Sequence, residues 1–244
     1  MSTKNSHSPD LLYILGTGSR WQDNEIRYSL RSAEKNLEHG KVFVVGENPG
    51  WLQNIRHIGC DDPYGIKKLK NSIYKLATAV RDPKLSGDFI LMNDDFFILK
   101  PVDQIEPMCK GFLADTMAKH PTKRGYYFDA MMSAFKKLLA YGIEKPKDFS
   151  LHQPFLFNRN RVRKTMDIFG GAGHGYLFRT MYGNLWHEDA EQANDRKLTG
   201  WSVKTQTSAS RLTFLSTDPQ VVLDPAFQRW LKGKFPTPSI YERS

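Results

Sequence analysis

The first hundred residues alternate short apolar runs with longer amphipathic ones. Leu11 to Leu15 predicts a buried strand, closed by Gly16-Thr17-Gly18-Ser19. From Asn24 to Leu37 the apolar positions Ile26, Leu30, Ala33 and Leu37 recur at spacings of three and four, which predicts a helix. Val42 to Val45 predicts a second strand, ended by Gly46 and the turn at Asn48-Pro49-Gly50. A second helix is expected over Leu69 to Val80 and a third strand over Phe89 to Met92. Strands and helices in alternation argue for an α/β fold, a mainly parallel sheet flanked by helices. Beyond Pro101 the pattern loosens. Helices are expected over Ala130 to Tyr141 and Arg159 to Phe169, a flexible glycine-rich turn over Gly170 to Gly175, and loop and strand over Arg196 to Thr217. No repeat or long linker divides the chain, so residues 1–244 are expected to form a single domain.

Composition narrows the class. A chain of 244 residues, 40% of them hydrophobic, is long enough to build a substantial core and excludes a disordered tail protein. The polar start from Met1 to Asp10 predicts no signal peptide, because the apolar piece after it is too short. No span is expected either, since Phe89 to Leu99 is broken by Asn93, Asp94 and Asp95 where a membrane helix needs about 20 apolar residues. Cys60 and Cys109 are then expected as free thiols in a reducing, cytoplasmic setting. The formal charge of +9 makes a polyanion a plausible partner.

Three features carry candidate chemistry. Asn93-Asp94-Asp95 follows an apolar strand directly, at the position where open α/β sheets bind ligands. Two adjacent carboxylates repel unless a cation or proton intervenes. That suits Mg²⁺ or Mn²⁺ completed by the phosphates of a nucleotide substrate, although an Asp pair capping a turn accounts for the same residues. Gly16-Thr17-Gly18-Ser19-Arg20 lies between a strand and a helix, where backbone N–H groups and the helix N-terminus favour a phosphate. It is not a Walker loop, and a plain tight turn explains it equally well. The third feature is a scatter of polar residues in the second half: His152 before Gln153-Pro154, Arg179 after Leu177-Phe178, and Asp218 before Pro219.

A resemblance links these features. The run Asp23-Asn24-Glu25-Ile26-Arg27-Tyr28-Ser29-Leu30-Arg31-Ser32, then Val42-Phe43-Val44-Val45-Gly46, then Pro49-Gly50-Trp51-Leu52, resembles a signature region of the Stealth family of sugar-phosphate transferases. That family includes bacterial capsule-polymer hexose-1-phosphate transferases and the lysosomal-enzyme GlcNAc-1-phosphotransferase of animals. Phe89 to Phe97 resembles its strand followed by Asn-Asp-Asp, His152-Gln153-Pro154 and Arg179 its third region, and Phe235-Pro236-Thr237-Pro238-Ser239-Ile240-Tyr241-Glu242 its closing phrase. The chain departs at Leu15-Gly16-Thr17-Gly18-Ser19, where an Asp is usual, and at Ser216-Thr217-Asp218, where Asn-Asp is usual.

The resemblance implies a single Rossmann-like, GT-A-like nucleotide-sugar transferase domain, with a donor and metal half at 11–105 and an acceptor-side, catalytic half at 106–244. It implies a nucleotide-diphosphate sugar donor, most often a uridine one, held by Gly16, Thr17, Gly18, Ser19, Arg20, Asn24, Arg27, Asn71 and Asn93. Asp94 and Asp95 would hold the metal, Asp95 or His152 would act as base, and Arg179 would stabilise charge on the transferred phosphate. Two reactions fit. An acceptor hydroxyl attacks either the phosphorus that carries the sugar, releasing UMP, or the anomeric carbon, releasing UDP. The acceptor is expected to be anionic because residues 149–217 carry nine Lys+Arg against five acids, with Arg159, Arg161, Arg163 and Lys164 close together. A glycan fits, and so does a hydroxymethylated base of phage DNA flipped out of its duplex. A non-catalytic nucleotide- or DNA-binding module would leave Asp94, Asp95 and His152 without a task.

Overall fold

A computed structural model describes residues 8–243. Strands β1 (Asp10–Leu15), β2 (Val42–Gly46), β3 (Arg56–Gly59) and β4 (Asp88–Asn93) run parallel in one sheet. The two-residue strands β5 (Phe97–Ile98) and β6 (Met108–Cys109) come next, and β7 (Phe155–Asn158) closes the main sheet antiparallel to β4, in the order β3-β2-β1-β4-β7. The two-residue β8 (Glu191–Gln192) and β9 (Lys197–Leu198) precede β10 (Phe214–Thr217). β10 pairs with β5 and β9 in a small second sheet, and β6 pairs with β8. The expected mainly parallel α/β sheet is therefore present, with one antiparallel edge.

Helices cover both faces. Leu12, Phe43 and Leu91 sit side by side in register on neighbouring strands. They pack against α2 (Lys68–Ala79), α4 (Tyr126–Ala140), α5 (Arg159–Phe169) and α6 (Phe178–Trp186). Leu11, Tyr13, Val44 and Ile90 pack on the other face against α1 (Asn24–Asn36). A strand covered on both sides has no polar face to present, which is why Leu11 to Leu15 reads as one apolar run. A third cluster joins Tyr28 and Phe97 to Leu215, Phe227 and Leu231 of α8 (Pro225–Lys234). The short helices α3 (Leu113–Lys119) and α7 (Val203–Ala209) complete the chain. α7 replaces part of the loop expected over Arg196 to Thr217, and a 3₁₀ turn at Ala172–His174 lies within the glycine-rich turn.

The inner side of α1 is also polar, and its side chains position the segment after β4. The Ser29 hydroxyl donates to the Phe96 carbonyl at 2.5 Å, the Asn36 amide donates to Ile98 at 2.7 Å, and the Ile98 N–H donates to Ser32 at 3.0 Å. Buried backbone groups at the start of β5 thus find their partners on a helix. The chain leaving Asn93-Asp94-Asp95 is fixed from outside.

The closing phrase of the chain anchors α1 from its other side. Glu242, 5% exposed, accepts from both Arg31 nitrogens at 2.7 Å, from Arg27 at 3.0 Å and from the Ser239 N–H at 2.8 Å. Burial opposes ionisation of this carboxyl, but the Arg31 bonds and the Ser239 amide hold its pKa below the ordinary 4.5. Glu242→Ala leaves two guanidinium groups unpaired and is expected to cost about 3–5 kcal/mol, read as a lower urea midpoint. A depressed carboxyl pKa stabilises the fold above the unfolded value. The difference between wild type and variant should therefore persist at neutral pH and shrink as pH falls through and below 4.5.

Candidate active site

The C-terminal ends of the parallel strands gather the candidate chemistry. β4 ends in a turn closed by the Phe96 N–H donating to the Asn93 carbonyl at 3.2 Å, which leaves Asp94 and Asp95 half-buried at the rim. The Ser216 hydroxyl of β10 donates to Asp95 Oδ2 at 2.5 Å. Burial, with the neighbouring Asp95 charge and then Glu25, pushes the Asp94 carboxyl up to about 7. Asp95 is raised by burial too, opposed by Ser216 and by the nearby Lys197 and His152. Two adjacent carboxylates, half-buried and within each other's field, repel in a way that a divalent cation relieves. No cluster of three or more metal-ligating side chains occurs among the described residues. The donor set that Mg²⁺ or Mn²⁺ takes with a nucleotide substrate is one or two carboxylates completed by phosphates, and the Asp94 and Asp95 side chains are of that kind.

His152 supplies a second constellation. Its Nδ1 lies 2.8 Å from Asp195 Oδ2, and its backbone N–H donates to Asp195 Oδ1 at 3.0 Å. Lys110 pairs with the same carboxylate at 2.7 Å. Burial works against the Asp195 charge, but His152 and Lys110 hold the carboxyl well below its usual range, so it stays ionised. A carboxylate on Nδ1 fixes the imidazole's orientation and tautomer and leaves Nε2 as the free acceptor.

Arg179 lies near the second of these groups, within reach of the Asp195 charge. Its guanidinium lies 4.9 Å from the Phe155 ring and 6.0 Å from that of Phe96, and it donates to the Gln153 carbonyl at 2.8 Å. Burial lowers its pKa to about 10, with Asp195 pulling the other way, so it remains a cation at neutral pH. Its Nε is buried with no hydrogen-bond partner among the described residues.

On the donor side, Gly16 to Arg20 projects from the end of β1 with Thr17, Gly18 and Arg20 exposed. Ser19 is committed locally: it donates to Glu25 at 2.8 Å and accepts from the Asp23 N–H at 2.7 Å. Asn24 donates to the Trp21 carbonyl at 2.7 Å, which closes the turn into α1. Beneath the loop lies Lys75, 2% exposed, donating to the Leu15 carbonyl at 2.8 Å and paired with Asp62 at 2.6 Å. Gly46 crosses this point with φ +113°, and a Cβ there would stand 2.1 Å from the Leu15 carbonyl oxygen. The ends of β1 and β2 close over the ammonium because position 46 has no side chain.

Several residues expected at the site are engaged elsewhere. Arg27 stacks 4.1 Å over Trp51 and is paired with Glu242 of the chain's closing segment. Asn71 bridges its own loop, donating to the Gly65 carbonyl at 2.7 Å and accepting from the Tyr64 N–H at 3.0 Å. The basic cluster starts beside Asp88, because β7 runs antiparallel and pairs Asn158 with Asp88. Asp88 and Asn93 are separated by the length of β4, about 17 Å. Arg163 donates to the Val80 carbonyl at 2.6 Å, and Arg159 to Leu85 at 2.8 Å and Asp82 at 3.2 Å. Both satisfy carbonyls at and just beyond the C-terminal end of α2, where cations also suit the helix dipole. Arg161 and Lys164 lie over the Trp186 ring at 5.2 and 5.7 Å. The expected acceptor-binding role of these four residues has no support in where they sit. Placed there, they do not favour DNA at the site either. Asp218 is paired with Lys197 at 2.8 Å.

The sequence matches no protein-family model and no curated protein. Solved glycosyltransferase structures align with most of the chain. Galactosyltransferase LgtC in complex with donor and acceptor sugar analogues is 12% identical, with 95% of this chain and 98% of that chain covered at a TM-score of 0.45. An active-site mutant of LgtC reaches 0.49 at the same identity and the same coverage of both chains. The apo form of mouse xyloside xylosyltransferase 1 is 11% identical, with 86% and 97% covered at 0.39. At such identities the likeness concerns the path of the chain.

Among the described residues no helix is long and apolar enough to cross a membrane, and Cys60 and Cys109 are free thiols. Asp195, Ser216, Lys110 and Lys75 were not among the residues expected at the site. Each meets its partner only through the tertiary fold.

Proposed function

We propose that this chain is a metal-dependent transferase that moves a sugar-1-phosphate from a nucleotide-diphosphate sugar, a uridine one, to a hydroxyl of a glycan. The observation that carries the proposal is that β7 begins opposite the end of β4, which brings the His152–Asp195 pair close enough to the Asp94-Asp95 pair for His152 to act on Asp95, with the cationic Arg179 near Asp195. The resemblance to the Stealth family points the same way. The donor and metal groups come from residues 11–105 and the acceptor-side groups from 106–244, in one working domain. Free thiols suit a reducing, cytoplasmic setting.

The exposed backbone of Thr17 and Gly18, Arg20 and the N-terminus of α1 hold the donor diphosphate, with Asn93 beside it. Mg²⁺ or Mn²⁺ held by Asp94 and Asp95 would neutralise the leaving nucleotide phosphate. His152 Nε2 accepts the proton of the acceptor hydroxyl as its oxygen bonds to the phosphorus that bears the sugar. The phosphorus–oxygen bond to the nucleotide breaks, and UMP departs with the electron pair. Arg179, whose Nε has no partner among the described residues, faces the charge that builds on the transferred phosphate. Asp195 stays ionised throughout and supports the imidazolium.

Incubation with UDP-sugars, Mn²⁺ and oligosaccharides is expected to yield UMP and a sugar phosphodiester. Release of UDP with a new glycosidic bond would assign attack at the anomeric carbon, and no released nucleotide from any UDP-sugar would sink the reading.

A further inference from the structure

Beside His152 lies a cavity of ≈570 Å³ that the mechanism above does not use. It is formed where β6 and β8 meet the starts of α3 and α4, and a volume of this size is typical of small-ligand sites. Two aromatic rings on its wall are left open to solvent, Phe112 at 46% and Tyr127 at 39% exposure. His120 stacks on Tyr127 at 6.3 Å with an interplanar angle of 26°. Between the rings come the Lys110 ammonium, the Asp115 carboxylate and the Gln192 amide. The Gln192 amide lies against Gly111, whose φ of +105° and missing Cβ make room for it: a Cβ there would be 3.2 Å from the amide.

Open aromatic faces alternating with donors and acceptors of both signs match one ligand chemistry. A pyranose presents apolar C–H faces to rings and vicinal hydroxyls that each donate and accept. A nucleic acid strand would ask for a continuous cationic track. Here the two lysines of the lining, Lys110 and Lys119, share the cavity with the Asp115 carboxylate, and the Lys110 charge is already answered by Asp195 at 2.7 Å. The cavity also has two links to the reacting group. Lys110 holds Asp195, which holds His152, and the Tyr127 hydroxyl donates to Ser150 Oγ at 3.1 Å, two residues before His152.

We propose that this cavity is the acceptor subsite and takes a saccharide, its sugar ring laid against Phe112 and Tyr127 and one hydroxyl turned toward His152. The inference rests on the transferase reading for the word acceptor, but the binding of a saccharide does not need turnover. The test is therefore direct binding by the full chain, with UDP and Mn²⁺ present, to an array of neutral and acidic oligosaccharides, with single-stranded and duplex DNA as competitors. A saccharide is expected to bind, and Phe112→Ala and Gln192→Ala are each expected to weaken it about tenfold, the loss of one ring contact or polar contact. Circular dichroism should show both variants folded, since Phe112 and Gln192 are exposed. Arg163→Ala, beyond the far end of β7, should leave binding unchanged. Saccharide binding without nucleotide release from any UDP-sugar would sink the transferase reading and keep the subsite. Turnover with an acceptor KM indifferent to Phe112→Ala would do the reverse. An array with no bound saccharide, or binding displaced by DNA, would overturn the proposal.

Discussion

Replacing Asp95 by Asn is expected to lower turnover by about 10³-fold or more, on the scale of losing a principal electrostatic group from an active site. The substitution keeps the shape of the side chain, and the amide oxygen can still accept the Ser216 hydroxyl. What disappears is one of two like charges that the fold holds together away from water. Such crowding disfavours the folded state and persists where function needs it. The variant's melting temperature should therefore equal or exceed that of the wild type. Nucleotide release with Mn²⁺ and a thermal melt check both halves. An active Asp95→Asn protein would remove Asp95 from the metal site, and an inactive one melting well below wild type would mark the carboxylate as structural.

His152→Ala is the second large effect, an expected loss of about 10²–10⁴-fold in kcat, the usual contribution of a general base. The donor KM should barely move, because the proposed donor site lies at the ends of β1 and β4. Asp195→Asn should fall in the same direction, since an amide no longer dictates which imidazole nitrogen carries the proton. Added imidazole offers a discriminating readout: partial rescue of His152→Ala but not of Asp95→Asn is what a missing base predicts. If His152→Ala raises the donor KM and spares kcat, the histidine binds donor and another group takes the proton.

Much of the framework is visible in the residue pattern, because β1, α1, β2, α2 and β4 are regular elements of at least five residues each. Their apolar periodicity reports burial directly, and the predicted ends lie within a residue or two of those in the structure. The second half lacks that regularity. β5, β6, β8 and β9 have two residues each, too few to show a period. α7 is rich in Ser and Thr, which disfavour a helix interior, and is started by a capping box at Ser202 and Thr205. α8 did carry a local signal, Asp224 as N-cap followed by Pro225.

The site divides in the same way. Asn93-Asp94-Asp95 stands out because it ends an apolar strand abruptly. His152 gives no hint of Asp195, 43 positions away, since that pairing is made only when the β6–β8 edge docks beside the main sheet. The arginines from 159 to 163 mislead for the opposite reason. A charge count does not say where the fold carries them: β7 takes them to the Asp88 end of β4, where Arg159 and Arg163 also bond carbonyl oxygens.

Lys75 has a mechanical consequence. By binding the Leu15 carbonyl and Asp62 under the glycine crossing, it ties α2, the end of β1 and the segment after β3 at a single ammonium. The donor loop is therefore clamped at its first residue, while Gln22 and Asp23, at φ 53° and 57°, form its other end. Any closure of that loop on an arriving nucleotide is confined to the few residues between these points. The sheet beneath stays still, and so do the carboxylates that register with it.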